Sequence, residues 1–206
     1  MKFTKIFRPE RFSGPIKSDP DVEPISATDL DLHGRLSLPD DLSLLPGFIS
    51  SARETVETMT HRALINQTYV YKISELPTGS ECLIDLPGGK IQSVTTIEYV
   101  DADGATQTWG ASNYEVDTTS EPGRIGLAYN ASWPSYRLWG LPITITYVAG
   151  YGAAAAAVPA ALRTAVSMVA TELYEMRNET VIGATVTSIP WRASVLASPY
   201  RAYLVV

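Results

Sequence analysis

The stretch LPGFISSARETVETMTHRA, residues 45–63, sets the reading of this chain. Its apolar residues Leu45, Ile49, Ala52, Val56, Met59 and Ala63 recur at steps of three or four, the period of one helix face, despite Pro46 near the start. A second stretch, PAALRTAVSMVATELYEM at 159–176, repeats the pattern through Leu162, Ala165, Val166, Val169, Leu173 and Met176, with Pro159 opening the helix. Between them, from Gln67 to Tyr151, the period falls to two, with β-branched and aromatic runs such as Thr68-Tyr69-Val70-Tyr71 and Ile143-Thr144-Ile145-Thr146-Tyr147-Val148. The pattern predicts an α+β fold. Two main antiparallel helices, 42–63 and 159–178, form a helical core, and a small antiparallel β-subdomain, 67–151, is inserted between them.

Asp101-Ala102-Asp103-Gly104 has turn chemistry between two strand-like runs, so Val94–Val100 and Ala105–Trp109 are expected to pair as a hairpin. Upstream of the first main helix, Ser26-Ala27-Thr28-Asp29 is close to a capping box and predicts a short helix at 26–34. Residues 1–24 carry Lys2, Lys5, Arg8, Arg11 and Lys17, broken by Pro9, Gly14, Pro15 and Pro20, with no apolar period; they read as an extended basic arm, either solvated or strapped to a neighbouring subunit. The domain reading is therefore an arm at 1–24, a main domain at 25–182 and a C-terminal segment at 183–206. That segment ends on Tyr203, Leu204, Val205 and Val206, which either return to the sheet as a strand or dock into a partner.

The composition narrows the function. With 22 acidic and 16 basic residues the net charge is −6, which argues against coating nucleic acid or binding an anionic membrane through the whole surface. The single cysteine, Cys82, cannot form an internal disulfide and is expected to be a buried thiol. The N-terminus lacks the apolar region a secretion signal requires, and Ala153–Val158 is too short to span a bilayer, so a soluble, unprocessed protein is expected.

No constellation of catalytic residues emerges. Pro87-Gly88-Gly89-Lys90 lacks the glycine spacing and following hydroxyl of a phosphate loop, and the Asp101–Gly104 segment puts its glycine at the fourth rather than the sixth position of a calcium loop. Glu54, Glu57 and His61 miss the glutamate-to-histidine spacing of di-iron helices, and Glu172 and Glu175 bring no histidine. His33 and His61, the two histidines, cannot supply a His-rich metal site, and no nucleophile elbow accompanies them. Trp109, Trp133 and Trp139 are expected to be core packing, with a saccharide platform as the alternative. No catalytic residue, cofactor or metal is expected.

The order of segments resembles the phage head-to-tail connector, or adaptor, family, including the adaptors of gene transfer agents. The resemblance rests on the capped short helix, Asp40-Asp41 ahead of a helix ending Arg62-Ala63-Leu64-Ile65-Asn66-Gln67-Thr68, the β insertion, and Val158-Pro159-Ala160-Ala161-Leu162 opening the second helix. It extends to Leu173-Tyr174-Glu175-Met176-Arg177-Asn178-Glu179, Ile189-Pro190-Trp191 and Leu196-Ala197-Ser198-Pro199-Tyr200-Arg201. It implies a non-enzymatic virion protein, assembled in the bacterial host cytoplasm, that forms a ring of typically twelve copies in the neck. Its partners would be the portal protein, a stopper or tail-terminator protein, and DNA passing through the lumen without sequence-specific contact. It also implies that residues 183–206 are a portal-docking tail, with Trp191, Leu196, Pro199, Tyr200, Arg201, Tyr203 and Leu204 as its contacts. The rival readings are another neck component, such as a stopper or tail-completion protein, or a hydrolase acting on saccharide.

Overall fold

The computed structural model describes residues 12–36, 43–77, 83–176 and 191–202. The fold is α+β, and the chain divides into two units: a sheet unit around residues 66–150, which also takes in residues 12–19, and a helical unit of 20–65 and 151–201.

In the helical unit, α1 (Ala27–Gly34) starts where the sequence signals it. The Ser26 hydroxyl accepts from the Asp29 backbone N–H at 3.1 Å while the Asp29 carboxylate accepts from the Ser26 N–H at 3.1 Å, so two donors left free by the first turn find partners. Helix α2 (Leu45–Thr60) carries Pro46 in its first turn, where a missing N–H costs nothing, and stops at His61, whose φ of 54° is left-handed. Its buried face holds Leu45, Ile49, Ala52 and Val56. Helix α3 (Ala160–Glu175) buries Leu162, Ala165, Val166, Val169, Ala170 and Tyr174 and packs against α1, α2 and α4 (Trp191–Ala197). The buried stripe of α3 departs from the sequence reading at its C-terminal end. Ala170 and Tyr174 turn inward, whereas Leu173 and Met176 remain 37% and 46% exposed. The 3.6-residue period carries Val166, Ala170 and Tyr174 along one row, and Leu173 falls beside it.

One ionic group is buried on α2. Arg53, 1% exposed, donates to Glu57 at 3.1 Å and to Glu23 at 2.9 Å, and the other Glu57 oxygen accepts from the Leu64 N–H at 2.9 Å. Glu57 thus fixes the chain just beyond its own helix.

In the sheet unit, β1 (Phe12–Lys17), β2 (Gln67–Ile73), β8 (Ile143–Ala149), β4 (Ile91–Val100) and β5 (Thr106–Trp109) form an antiparallel sheet in the order β1-β2-β8-β4-β5. A second antiparallel sheet has the order β3-β7-β6, from Ile84–Leu86, Gly123–Leu127 and Tyr114–Asp117. The period of two is explicit in β8, where Ile143, Ile145, Tyr147 and Ala149 are buried and the residues between them are half-buried. Tyr69 lies opposite Tyr147 with the rings stacked at 5.4 Å, and the Tyr147 hydroxyl donates to the Pro87 carbonyl at 2.8 Å. Burial pushes that phenol far above the usual tyrosine range. The β4–β5 pairing, Ile97–Trp109 through Val100–Thr106, is the hairpin read from the Asp101 turn.

The segment read as an arm is partly built into the fold. Ser13 and Lys17 of β1 pair with Lys72 and Tyr69, and the Ser18 N–H donates to the Thr68 carbonyl at 2.9 Å. Pro15 is accommodated because β1 is an edge strand whose register slips between Ser13 and Ile16. Residues 1–11, the Asp40-Asp41 turn and Cys82 lie outside the described residues.

Candidate functional site

The C-terminal segment was the expected contact surface, and its residues divide into two groups. Helix α4 turns Ala193 and Ala197 into the helical core, fully buried, with Leu196 and Tyr200 packed half-buried against the same cluster. Residues two positions away from Ala193 on either side point outward: Trp191 is 74% exposed and Val195 47%. Pro199 and Arg201 are exposed, and Arg201 reaches back to donate from Nε to the Met59 carbonyl at 3.0 Å. The Arg62 Nε donates to the Tyr200 carbonyl, and its guanidinium lies 5.9 Å from the centre of the Tyr151 ring. Residues 191–201 are therefore clasped to their own helical unit while presenting Trp191. Tyr203 and Leu204 lie outside the described residues.

The positions weighed for chemistry have structural partners. His33 and His61 are exposed residues at helix C-terminal ends, and Glu57 is spent on Arg53 and the Leu64 backbone. Among the described residues no group of His, Cys, Asp and Glu side chains is placed to hold a metal ion. Gly88 and Gly89 take φ values of 103° and 83°, and a Cβ on Gly88 would press on the Tyr69 ring at 3.3 Å; the segment is a turn that only glycine fits. The Asp101 carboxylate accepts from the Gln107 side chain and from the N–H groups of Asp103 and Ala105 at 2.9–3.0 Å. Those bonds, led by Gln107, hold it below the usual carboxylate range. Among the described residues no helix is long and apolar enough to cross a membrane.

The three tryptophans do not form one platform. Trp109 is 6% exposed and packs on Trp133 and Tyr114 at 5.0 and 5.4 Å between ring centres. Trp139, expected in the core, is instead 77% exposed, beside Leu138 at 85%. The connection between β7 and β8 carries both outward, together with Tyr129 at 91%. The signal available in the sequence was an apolar pair, Leu138-Trp139, followed at once by Gly140-Leu141-Pro142, in a segment too rich in turn residues to be a strand.

No protein-family model matches the sequence, and neither does any curated protein. Solved structures do. A chain in the virion of a native gene transfer agent particle superposes with a TM-score of 0.74 at 24% identity, over 93% of this chain and 97% of that one. The fold is that of a chain in a gene transfer agent particle. The neck of the empty particle, computed with C6 symmetry, contains a match at TM-score 0.72, and the neck of the native particle, computed with C12 symmetry, one at 0.68, each with the same identity and coverage. The likeness takes in both the helical and the sheet units, since almost the whole of each chain is matched.

Proposed function

We propose that this chain is a structural subunit of a virion neck, an adaptor that stands as a ring of copies between portal and tail and through which DNA passes. The observation that carries the reading is the near-complete fold match to chains of gene transfer agent particles, two of them in necks of six- and twelvefold symmetry. The two-helix ending with Pro199-Tyr200-Arg201 is the feature that speaks for the adaptor over a stopper. Net charge −6 suits a subunit around a DNA channel, because carboxylates repel phosphates and a basic lining would hold the duplex. The protein acts by binding, not by catalysis.

The portal contact is assigned to the C-terminal segment: Trp191 on the exposed face of α4, with Pro199, Tyr203 and Leu204 beyond it. Leu196, Tyr200 and Arg201 serve mainly to hold that segment on the helical unit.

The test is native mass spectrometry of the purified chain with and without portal rings. Addition of a ring's worth of copies to the portal is the expected result, and a chain that ignores portal overturns the adaptor reading. A chain cut after Ala202 should remain folded and lose portal binding; undiminished binding would remove the last residues from the contact.

A further inference from the structure

A ring of cyclic symmetry repeats one contact between two different patches, so each copy must carry a projecting element and a surface that receives it. The sheet unit supplies the first. Leu138 and Trp139 stand at the tip of a loop whose two ends are clamped to a single residue: the Arg137 N–H donates to the Val100 carbonyl and the Val100 N–H donates to the Pro142 carbonyl, both at 2.9 Å. Gly140, at φ 76°, makes the turn between them, and the Arg137 guanidinium covers the Trp139 ring at 5.6 Å. A large apolar pair held out on a braced loop loses little conformational freedom on docking, and its exposure is unfavourable until something covers it.

The helical unit supplies the second. An open groove of about 380 Å³ runs between the segment before α1 and the start of α2, with apolar walls from Val22, Ile25, Pro46, Ile49 and Ala155. Asp29 lines it too, a charge opposite to that of Arg137, beside Glu23, whose carboxylate is already engaged by Arg53. The Asp29 carboxylate is held below the usual range by its hydrogen bonds from Ser26, and it stays ionised.

We infer that the Leu138–Trp139 tip of one copy seats in the Val22–Pro46 groove of the next copy in the ring, with Arg137 directed at Asp29 of the groove. The occupant is a second copy of this chain because the apolar tip and the apolar, acidic groove are complementary in both character and charge. This contact rests on the ring reading above.

Two variants and one cross-link test it on the full chain with portal rings. L138A/W139A removes the tip, and V22R fills the groove with a bulky cation; Val22 is 45% exposed, so arginine there does not enter the core. Both variants should keep the thermal melt of the unaltered chain and assemble on portal at least about tenfold more weakly, as loss of an interface tryptophan does. A photoreactive benzoylphenylalanine replacing Trp139 should link to peptides 20–29 or 46–49 of another copy, with isotope mixing separating links between copies from links within one. Rings from both variants at unaltered strength, or a link to any other peptide, overturn the contact while leaving the ring intact. An unaltered chain that forms no ring overturns the ring reading itself.

Discussion

Arg62 and Tyr200 are joined by a hydrogen bond from the guanidinium Nε to the backbone carbonyl, which fastens the turn after α4 to the end of α2. The same guanidinium lies over the Tyr151 ring. Truncation of Arg62 to alanine removes a charged hydrogen bond and a cation–π contact together, and should cost about 2 kcal/mol in urea unfolding. A change under about 0.5 kcal/mol would mean that the clasp is idle, as for an ordinary surface site. The bond also fixes where a tail deletion can be made. Cutting after Ser198 removes Tyr200 from the core cluster as well as the tail, so it should lower the melting temperature.

Arg53 is fully buried between carboxylates. Burial pulls its pKa down, but the charges of Glu57 and Glu23 more than offset that, and the guanidinium stays protonated. Arg53→Met removes the guanidinium that the Glu57 carboxylate, 3% exposed, faces at 3.1 Å. The expected loss is about 3–5 kcal/mol by urea denaturation. Glu57→Gln should cost less, because an amide oxygen can still accept from the Leu64 N–H; equal losses from the two changes would argue that charge is not what matters there.

Between β6 and β7 the Asp117 carboxylate accepts from the Ser120 and Thr119 hydroxyls at 2.7 and 2.6 Å and from their backbone N–H groups. These bonds, Ser120's first, hold it far below the usual range. A depressed folded pKa stabilises the turn above the unfolded value of about 3.9, and that contribution is lost as pH falls through the lower folded value. Carboxyl carbon NMR should place the Asp117 midpoint well below that of a free aspartate, and a midpoint near ~3.9 would contradict the turn geometry.

The elements legible in the sequence were those whose signal is local. The helical period of α2, the Ser26–Asp29 cap and the Asp101 turn each rest on local signals and are where the pattern put them, and α3 follows its pattern as far as Val169, with Leu173 and Met176 falling outside the buried row. Strand β1 was not legible, because Phe12-Ser13-Gly14-Pro15-Ile16-Lys17 has no alternation and includes a proline; its pairing depends on β2, fifty residues on, as the Thr68 N–H to Ser18 hydroxyl bond at 3.0 Å illustrates. At the candidate sites, the packing of Tyr200 on the core and the exposure of Trp139 both depend on distant neighbours. Residue type alone favoured burial for Trp139 and exposure for the tail.

Gly123 lies where β7 crosses Ile91, and a Cβ there would come within 2.5 Å of the isoleucine Cγ1 and 2.8 Å of its Cβ. Ile91 is 1% exposed and has little room to yield. Gly123→Ala should therefore destabilise the sheet unit by about 1–3 kcal/mol, the usual cost of overpacking. A melt unchanged from that of the unaltered chain would show that the two sheets tolerate separation at this point.

The chain leaves the helical unit after Ile65 and re-enters it at Tyr151, and the Tyr151 N–H donates to the carbonyl of Leu64, one residue before the exit, at 3.3 Å. Exit and entry thus share a single threshold. A descendant gene can lengthen or shorten the loops of the intervening segment without shifting the end of α2 or the start of α3, but any replacement insert has to bring a strand in the place of β2 for β1 to pair with.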